Sequence, residues 1–368
     1  MFINQNKYQD HIFFMRLALQ QAKKTIGNTK ENPAVGCIIT KSNHVIGAGC
    51  TSVNGKPHAE LNAVNYSKSI LKNSQLYVTL EPCSHYGKTP PCVMLIIRKK
   101  IKKVFFSIKD PDPRSFNKCS KILRSNGIIV NNGLLKNEME FFYKSYLKFK
   151  KRDLPFVTYK LAISKDFYTT NKRKNKWITN EFSRGRVHLM RSNHDCVMTS
   201  SKTIINDNPS LTCRIDGLKD RSPSRIILDN KLKISINSKI IKEANIFNTI
   251  VFYNKTNAKK IKLLKKLNIK IFKISLDNSG HLDLIRSLRK AKQLGFSRIF
   301  LESGIKLATS FLKKNLVNDF KIFISNNNLG KNGRSKIKKY FRFFLKNKKK
   351  TIEKVNLLGD KLISYKLK

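Results

Sequence analysis

Apolar positions Phe13, Phe14, Leu17, Ala18 and Ala22 recur at helical spacing and predict a first helix over residues 9–25. The following NPAVGCIITKSNHVIGAGC holds two β-rich runs around a polar KSNH turn, the pattern of a hairpin. HAELNAVNYSK then predicts a helix, SQLYVTLEPC a strand, CVMLIIRKK a helix and KKVFFSIKD a strand. NKCSKILRSNG (helix) and GIIVNNG (strand) follow, and a helix over about residues 136–149 closes the series. The run KFKKRDLP at 148–155 mixes dense charge with a proline and is the expected linker.

Beyond it the alternation restarts. FVTYKLAIS, DCVMTS, SRIILDN, NTIVFYN, IKIFKIS, RIFLES and DFKIFIS predict strands. NEFSRGRVHLMRSN, NAKKIKLLKKL, HLDLIRSLRKAKQLG and IKLATSFLKKN predict helices among them. Alternating helices and strands in both halves indicate α/β layers with partly parallel sheets. A length of 368 residues accommodates two domains, expected at 1–150 and 151–368 with no internal repeat between them. The last forty residues carry the least pattern, and the lysine run in FLKNKKK is expected as a solvated loop.

Charge changes the picture less than its size suggests. Seventy-five Lys+Arg against 23 Asp+Glu give a formal charge of +52, which on its face suggests a nucleic-acid or membrane-surface protein. Lysine is spread along the chain together with Asn, Ile and Phe, while 16 Gly and 10 Pro fall short of the about 26 and about 18 that average usage gives. That is the mark of a compositional bias favouring A/T-rich codons, whereas a polyanion-binding function would cluster the charge. Seven cysteines, at 37, 50, 83, 92, 119, 196 and 213, are an odd number without a secretory signal, so thiols for metal are favoured over a disulfide framework. The N-terminal segment lacks an uninterrupted apolar region, and no 18-residue apolar run occurs. A soluble, cytoplasmic chain is expected, with no membrane partner and no specific nucleic-acid partner.

The candidate chemistry lies in KPHAELNAV (56–64) and TLEPCSHYGKTPPC (79–92). A catalytic zinc takes three His or Cys ligands and keeps one position open. His58, Cys83 and Cys92 supply such a set at the ends of predicted elements, where an open α/β sheet gathers its ligands. Glu60, two residues from His58, is not needed as a ligand; it is placed to take a proton from the attacking water and pass it to a leaving amine. An H-x-E joined to a downstream P-C and a second cysteine is the signature of zinc deaminases acting on nucleobase-like rings. Polynucleotide deaminases use C-x-x-C, whereas eight residues separate Cys83 from Cys92 here.

With NPAVGCII, PHAE and EPCSHYGKTPPC, the first half resembles the deaminase half of the bifunctional pyrimidine deaminase/reductase family of riboflavin biosynthesis. The resemblance implies a cytidine-deaminase-like fold, one Zn²⁺, and hydrolytic removal of the 2-amino group of 2,5-diamino-6-ribosylamino-4(3H)-pyrimidinone 5′-phosphate. It further implies that Asn32 holds the ring and that His85 and Lys88 contact the substrate or its phosphate, with a solvent-facing loop position the alternative for His85.

YKLAISKD, KWIT, HDCVMTSSKTIINDNPSLTCR and FLESGIKLATSFL resemble the reductase half of the same family, which implies a dihydrofolate-reductase-like fold over 155–368 and NADPH-dependent reduction of the ribosyl to a ribityl group. Gly304, between a strand and a helix, would let the N–H groups of about 305–308 face a phosphate, a plain αβ turn being the alternative. Ala162, Trp177, Thr203 and Asp207 fall at cofactor positions; Lys160, Asn175, Leu211 and Glu302 fall at substrate positions; Arg191 and Arg214 are placed for the 5′-phosphate. A homo-oligomer is expected.

Three departures from the pattern stand out: Phe167 replaces the usual glycine after Asp166, the following loop is one residue short, and Ile305-Lys306 replaces Pro-Thr after Gly304. Phe167 is expected to be tolerated by a reshaped turn that needs no positive φ. Rival expectations are a deaminase with an inactive second domain, and a basic RNA-binding or RNA-editing protein.

Overall fold

The computed structural model describes residues 5–87, 90–151, 153–172, 177–255 and 258–368. The chain divides into two units between Asp153 and Leu154. In the first unit the elements are α1 (Gln5–Lys23), β1 (Gly36–Lys41), β2 (His44–Cys50), α2 (Ala59–Asn65), β3 (Gln75–Leu80), α3 (Cys92–Arg98), β4 (Lys103–Ile108), α4 (Cys119–Ser125), β5 (Ile129–Asn132) and α5 (Lys136–Lys151). Their sheet runs β2-β1-β3-β4-β5, with β1 antiparallel to both neighbours and β3, β4 and β5 parallel.

The predicted hairpin turns at Ser42 and Asn43, both at positive φ. The helix α1 turns a different stripe inward from the one expected. Phe14, Met15, Ala18, Leu19 and Ala22 are buried, and Phe13 is 57% exposed, because the apolar face is phased one residue later. Close packing sets the position of α2, since a Cβ on Gly49 of β2 would strike the backbone of Ala59 and Ala63. The expected linker at 148–155 is helical as far as Lys151, so α5 extends beyond its predicted end at 149 and the connection to the next strand is short.

The second unit comprises β6 (Phe156–Ile163), β7 (Tyr168–Asn171), α6 (Glu181–Ser192), β8 (Cys196–Ser200), α7 (Ser201–Asp207), β9 (Ser224–Leu228), α8 (Lys239–Lys242), β10 (Thr249–Tyr253), α9 (Ala258–Lys266), β11 (Lys270–Lys273), α10 (Leu284–Gln293), β12 (Arg298–Glu302), α11 (Ile305–Lys313), β13 (Asp319–Ile324), β14 (Gly333–Lys336), α12 (Lys338–Leu345), β15 (Lys349–Ile352) and β16 (Lys361–Lys366). Nine strands form one sheet in the order β11-β10-β9-β8-β12-β6-β13-β16-β15, in which β16 alone runs antiparallel, to β13 and β15 on either side of it, while β7 pairs with β14. Successive residues alternate between two buried clusters: Met198, Ile226, Ile250 and Ile299 face one, and Val197, Ile227, Val251 and Phe300 the other. Both faces are thus covered, as a parallel sheet requires.

Two expectations fail in this unit. The lysine run is only in part a loop: residues 346–348 form the exposed turn after α12, whereas Lys349 and Lys350 begin β15, an edge strand exposed along its whole length. Lysines on such an edge discourage pairing with other chains. The turn at Phe167 has not been reshaped either. Phe167 sits at φ 72, with its N–H bonded to the Ser164 carbonyl and the Ser164 N–H to the Tyr168 carbonyl, so a bulky residue occupies the left-handed position between β6 and β7. Most of the loop expected to be short, at 173–176, lies outside the described residues.

Candidate active sites

Three side chains from separate elements converge at the carboxyl end of β3. His58 caps α2, Cys83 lies beyond β3, and Cys92 opens α3 behind the N-capping Pro91. Their ligand atoms all lie within 4.8 Å of one another. His58 Nδ1 is 3.5 Å from Cys83 Sγ and 3.4 Å from Cys92 Sγ. The Cys92 N–H, which has no partner inside its own helix, donates to Cys83 Sγ at 3.2 Å. Hydrogen bonds from Cys92 and His58 hold the Cys83 thiol well below its usual pKa, and sharing that proton pushes Cys92 up. One nitrogen and two sulfurs in a compact triangle, one already favouring the thiolate, suit a tetrahedral zinc with a fourth position open.

Glu60 lies in the first turn of α2 at 4% exposure, and burial raises its carboxyl above the ordinary range. It lines a cavity of ≈ 690 Å³ together with His58, Cys83, Asn32 and His85. The Asn32 N–H donates to the Thr29 carbonyl, and the Thr29 hydroxyl donates back to the Asn32 carbonyl at 2.7 Å. His85 is not loose in solvent: its Nδ1 is hydrogen-bonded to Ser115 Oγ at 2.8 Å. Lys88 lies outside the described residues.

Further lining residues went unseen in the sequence: Glu81, Asp110, Asp112, Tyr146 and Lys150. The signal available was the run DPDPR, two carboxylates stiffened by prolines in a chain with only 23 acidic residues.

In the second unit, Lys160 of β6 and Glu302 of β12 are register partners on adjacent parallel strands and so face the same side of the sheet. Arg191 of α6 meets Glu302 in a forked pair, Nε to Oε1 at 2.6 Å and Nη2 to Oε2 at 3.0 Å. Its Nη1 donates to the Thr212 carbonyl at 3.0 Å, next to buried Leu211, whose φ is 58. The Arg214 N–H reaches His188 Nδ1 at 3.3 Å, so Lys160, Arg191, Leu211, Arg214 and Glu302 form one neighbourhood. His188, one turn before Arg191, was missed; burial and the two arginines lower its pKa. Burial lowers the ammonium of Lys160, while Arg191 and Lys160 hold Glu302 ionised against its own burial.

The expected cofactor positions are distributed differently. Ala162 lies two residues beyond Lys160 on the same face of β6, partly buried. Thr203 lies in the first turn of α7, its N–H donating to Oγ of the N-capping Ser200 at 3.4 Å, and Asp207 ends that helix. Gly304 caps α11 with open space where a Cβ would stand. Trp177 is 61% exposed rather than a core aromatic, with the Arg184 guanidinium 4.9 Å from its ring centre. Asn175 lies outside the described residues.

Comparison with known proteins covers both units. Residues 8–108 match the model of the cytidine and deoxycytidylate deaminase zinc-binding region, and residues 155–356 match that of the RibD C-terminal domain. Riboflavin biosynthesis protein RibD of Bacillus amyloliquefaciens is 36% identical over 303 residues, 82% of this chain and 80% of its own length. RibD of Buchnera aphidicola is 35% identical over 87% of this chain and 88% of its own. The solved diaminohydroxyphosphoribosylaminopyrimidine deaminase/5-amino-6-(5-phosphoribosylamino)uracil reductase of Thermotoga maritima superposes with a TM-score of 0.83 at 29% identity, covering 98% of this chain and 99% of its own. Neither rival, the deaminase with an inactive partner domain or the RNA-directed protein, is favoured. Among the described residues no helix is long and apolar enough to cross a membrane. With a cytidine-deaminase-like unit followed by a reductase unit, the chain belongs to the RibD family of riboflavin biosynthesis and is a bifunctional deaminase/reductase.

Proposed function

We propose that the first unit hydrolyses the 2-amino group from 2,5-diamino-6-ribosylamino-4(3H)-pyrimidinone 5′-phosphate, and that the second reduces the ribosyl group of the product to ribityl with NADPH. The observation that carries this reading is the meeting of His58, Cys83 and Cys92, with His58, Cys83 and buried Glu60 lining one cavity. A zinc ion held by those three ligands would supply Lewis acidity and a water of near-neutral pKa. Glu60 takes a proton from the attacking water and returns it to the amino nitrogen, so that the C2–N bond breaks and ammonia departs. Asn32 orients the ring, and His85 and Lys88 hold the ribosyl phosphate.

In the second unit Lys160, Asn175, Arg191, Leu211, Arg214 and Glu302 receive the deaminated substrate, and Ala162, Trp177, Thr203, Asp207 and Gly304 receive NADPH. The nine-residue helix α11 has no side-chain cap at Gly304. Its first N–H groups therefore suit a phosphate of the cofactor. NADPH held by these residues would supply the hydride that reduces C1′ of the substrate. With Nε and one Nη2 hydrogen on Glu302 and Nη1 on the Thr212 carbonyl and His188, Arg191 offers its second Nη2 hydrogen to the 5′-phosphate, beside Arg214.

Purified protein incubated with the diaminopyrimidine substrate, with and without NADPH, and followed by mass spectrometry tests both halves. Deaminated ribosyl product alone is expected without NADPH, and ribityl product with it. Unchanged substrate in both arms would overturn the reading.

A further inference from the structure

The deaminase cavity has a wall that the zinc-binding region does not supply. That region matches residues 8–108, yet Asp110, Asp112, Arg114, Tyr146 and Lys150 also line the cavity. The loop 110–117 is held at both ends by one buried carboxylate. Glu81 Oε2 accepts the N–H groups of Asp110 and Asn117, each at 3.2 Å, two residues before the ligand Cys83. Its first residues are also gripped from α5, where the Tyr146 hydroxyl donates to Asp110 Oδ1 at 2.9 Å and Lys150 Nζ lies 3.0 Å from Asp112 Oδ2. Tyr146 and Lys150 are one helical turn apart, with the ammonium 5.7 Å from the ring centre, so they act from one face of α5. Arg114 forks onto Asp112 from the other side. From the same loop Ser115 reaches back to His85, between the two cysteine ligands.

Resting on the deaminase reading above, we infer that Tyr146 and Lys150 are positioning residues that set the deaminase's substrate specificity: they hold the 110–117 loop, and through Ser115 also His85, against the cavity. The chemistry of the braced wall supports this. Asp110 presents an acceptor for hydroxyl or amine donors, and Asp112 is neutralised by two cations and adds no net repulsion toward an anion. A wall of that kind fits a ribosylated, phosphorylated pyrimidine better than a free base. Among the described residues no hydrogen bond or ion pair joins Asp110, Asp112, Arg114, Tyr146 or Lys150 to His58, Cys83 or Cys92, so loosening the wall changes how substrate is held while leaving Glu60 and the zinc set in place.

The test uses the full chain with Tyr146→Phe, Lys150→Met and Lys150→Arg. Deamination kinetics on the phosphorylated substrate are measured beside zinc content and the chain's own reductase activity on the deaminated intermediate. Removing one hydrogen bond to a charged group should raise KM for deamination about tenfold or more in Tyr146→Phe and Lys150→Met. The turnover number should stay within about threefold, and zinc and reductase activity should remain at wild-type levels. Lys150→Arg, which restores the cation, should recover most of the KM. Wild-type KM in both truncating variants would overturn the inference, as would a fall in turnover with KM unchanged or a loss of zinc with turnover. A wild-type chain that does not deaminate the substrate would instead overturn the reading on which the inference rests.

Discussion

Gly55 and Asn32 are packed so closely that a Cβ on the glycine would overlap the asparagine's side-chain amide. Gly55 also holds φ 90, open to glycine at little cost. The pair fixes where the cavity offers its amide. Gly55→Ala is expected to displace Asn32 and slow deamination by about 10²-fold, the loss typical of an ångström-scale misplacement. Reduction of the deaminated intermediate should be unaffected. Wild-type deamination kinetics in the variant would show that Asn32 does not orient the ring.

One Zn²⁺ per chain is expected, held by His58, Cys83 and Cys92. Elemental analysis should find it in wild-type protein and lose it in Cys83→Ala/Cys92→Ala. Zinc retained at full stoichiometry by that double variant would place the metal elsewhere.

Glu60→Gln preserves the shape of the side chain and removes its capacity to carry a proton. Zinc should be retained while the deamination rate falls by about 10²–10⁴-fold, the usual span for a general acid–base group. Activity within about tenfold of wild type would assign the proton transfer to another group.

NADPH is expected to quench or shift the emission of Trp177, the chain's only tryptophan, which is largely exposed. Asp207→Ala should impair reduction and leave deamination intact, since Asp207 belongs to the second unit. Wild-type protein that fails to oxidise NADPH in the presence of authentic deaminated intermediate would contradict the reductase assignment.

Phe167 at φ 72 is a strained position. A left-handed conformation costs roughly 1–2 kcal/mol for a residue with a Cβ. Glycine gives back part of that through its looser unfolded state. Phe167→Gly should therefore raise the stability of the second unit by up to about 1 kcal/mol, visible as a higher thermal midpoint. An unchanged or lower midpoint would mean that the phenylalanine's own contacts outweigh its strain.

The sequence by itself determined most of the element order, because periodic apolar spacing is a local record of which face is buried. It also singled out His58, Cys83 and Cys92, whose ligand atoms the fold brings within 4.8 Å of one another, since few residue types ligate zinc. The phase of a stripe was harder: Phe13 and Met15 are both apolar, and only packing against the sheet decides that Met15 goes in and Phe13 stays out. Nor did the lysines of β15 announce a strand, because an edge exposed on both faces leaves no alternation to read. Tertiary structure alone decided the far wall of the deaminase cavity. Tyr146 reaches Asp110 across 36 residues and Lys150 reaches Asp112 across 38, contacts that α5 makes only once it has docked beside β4. No local pattern encodes such a meeting, because hydrogen bonds between side chains far apart in sequence follow from the path of the chain rather than from its periodicity.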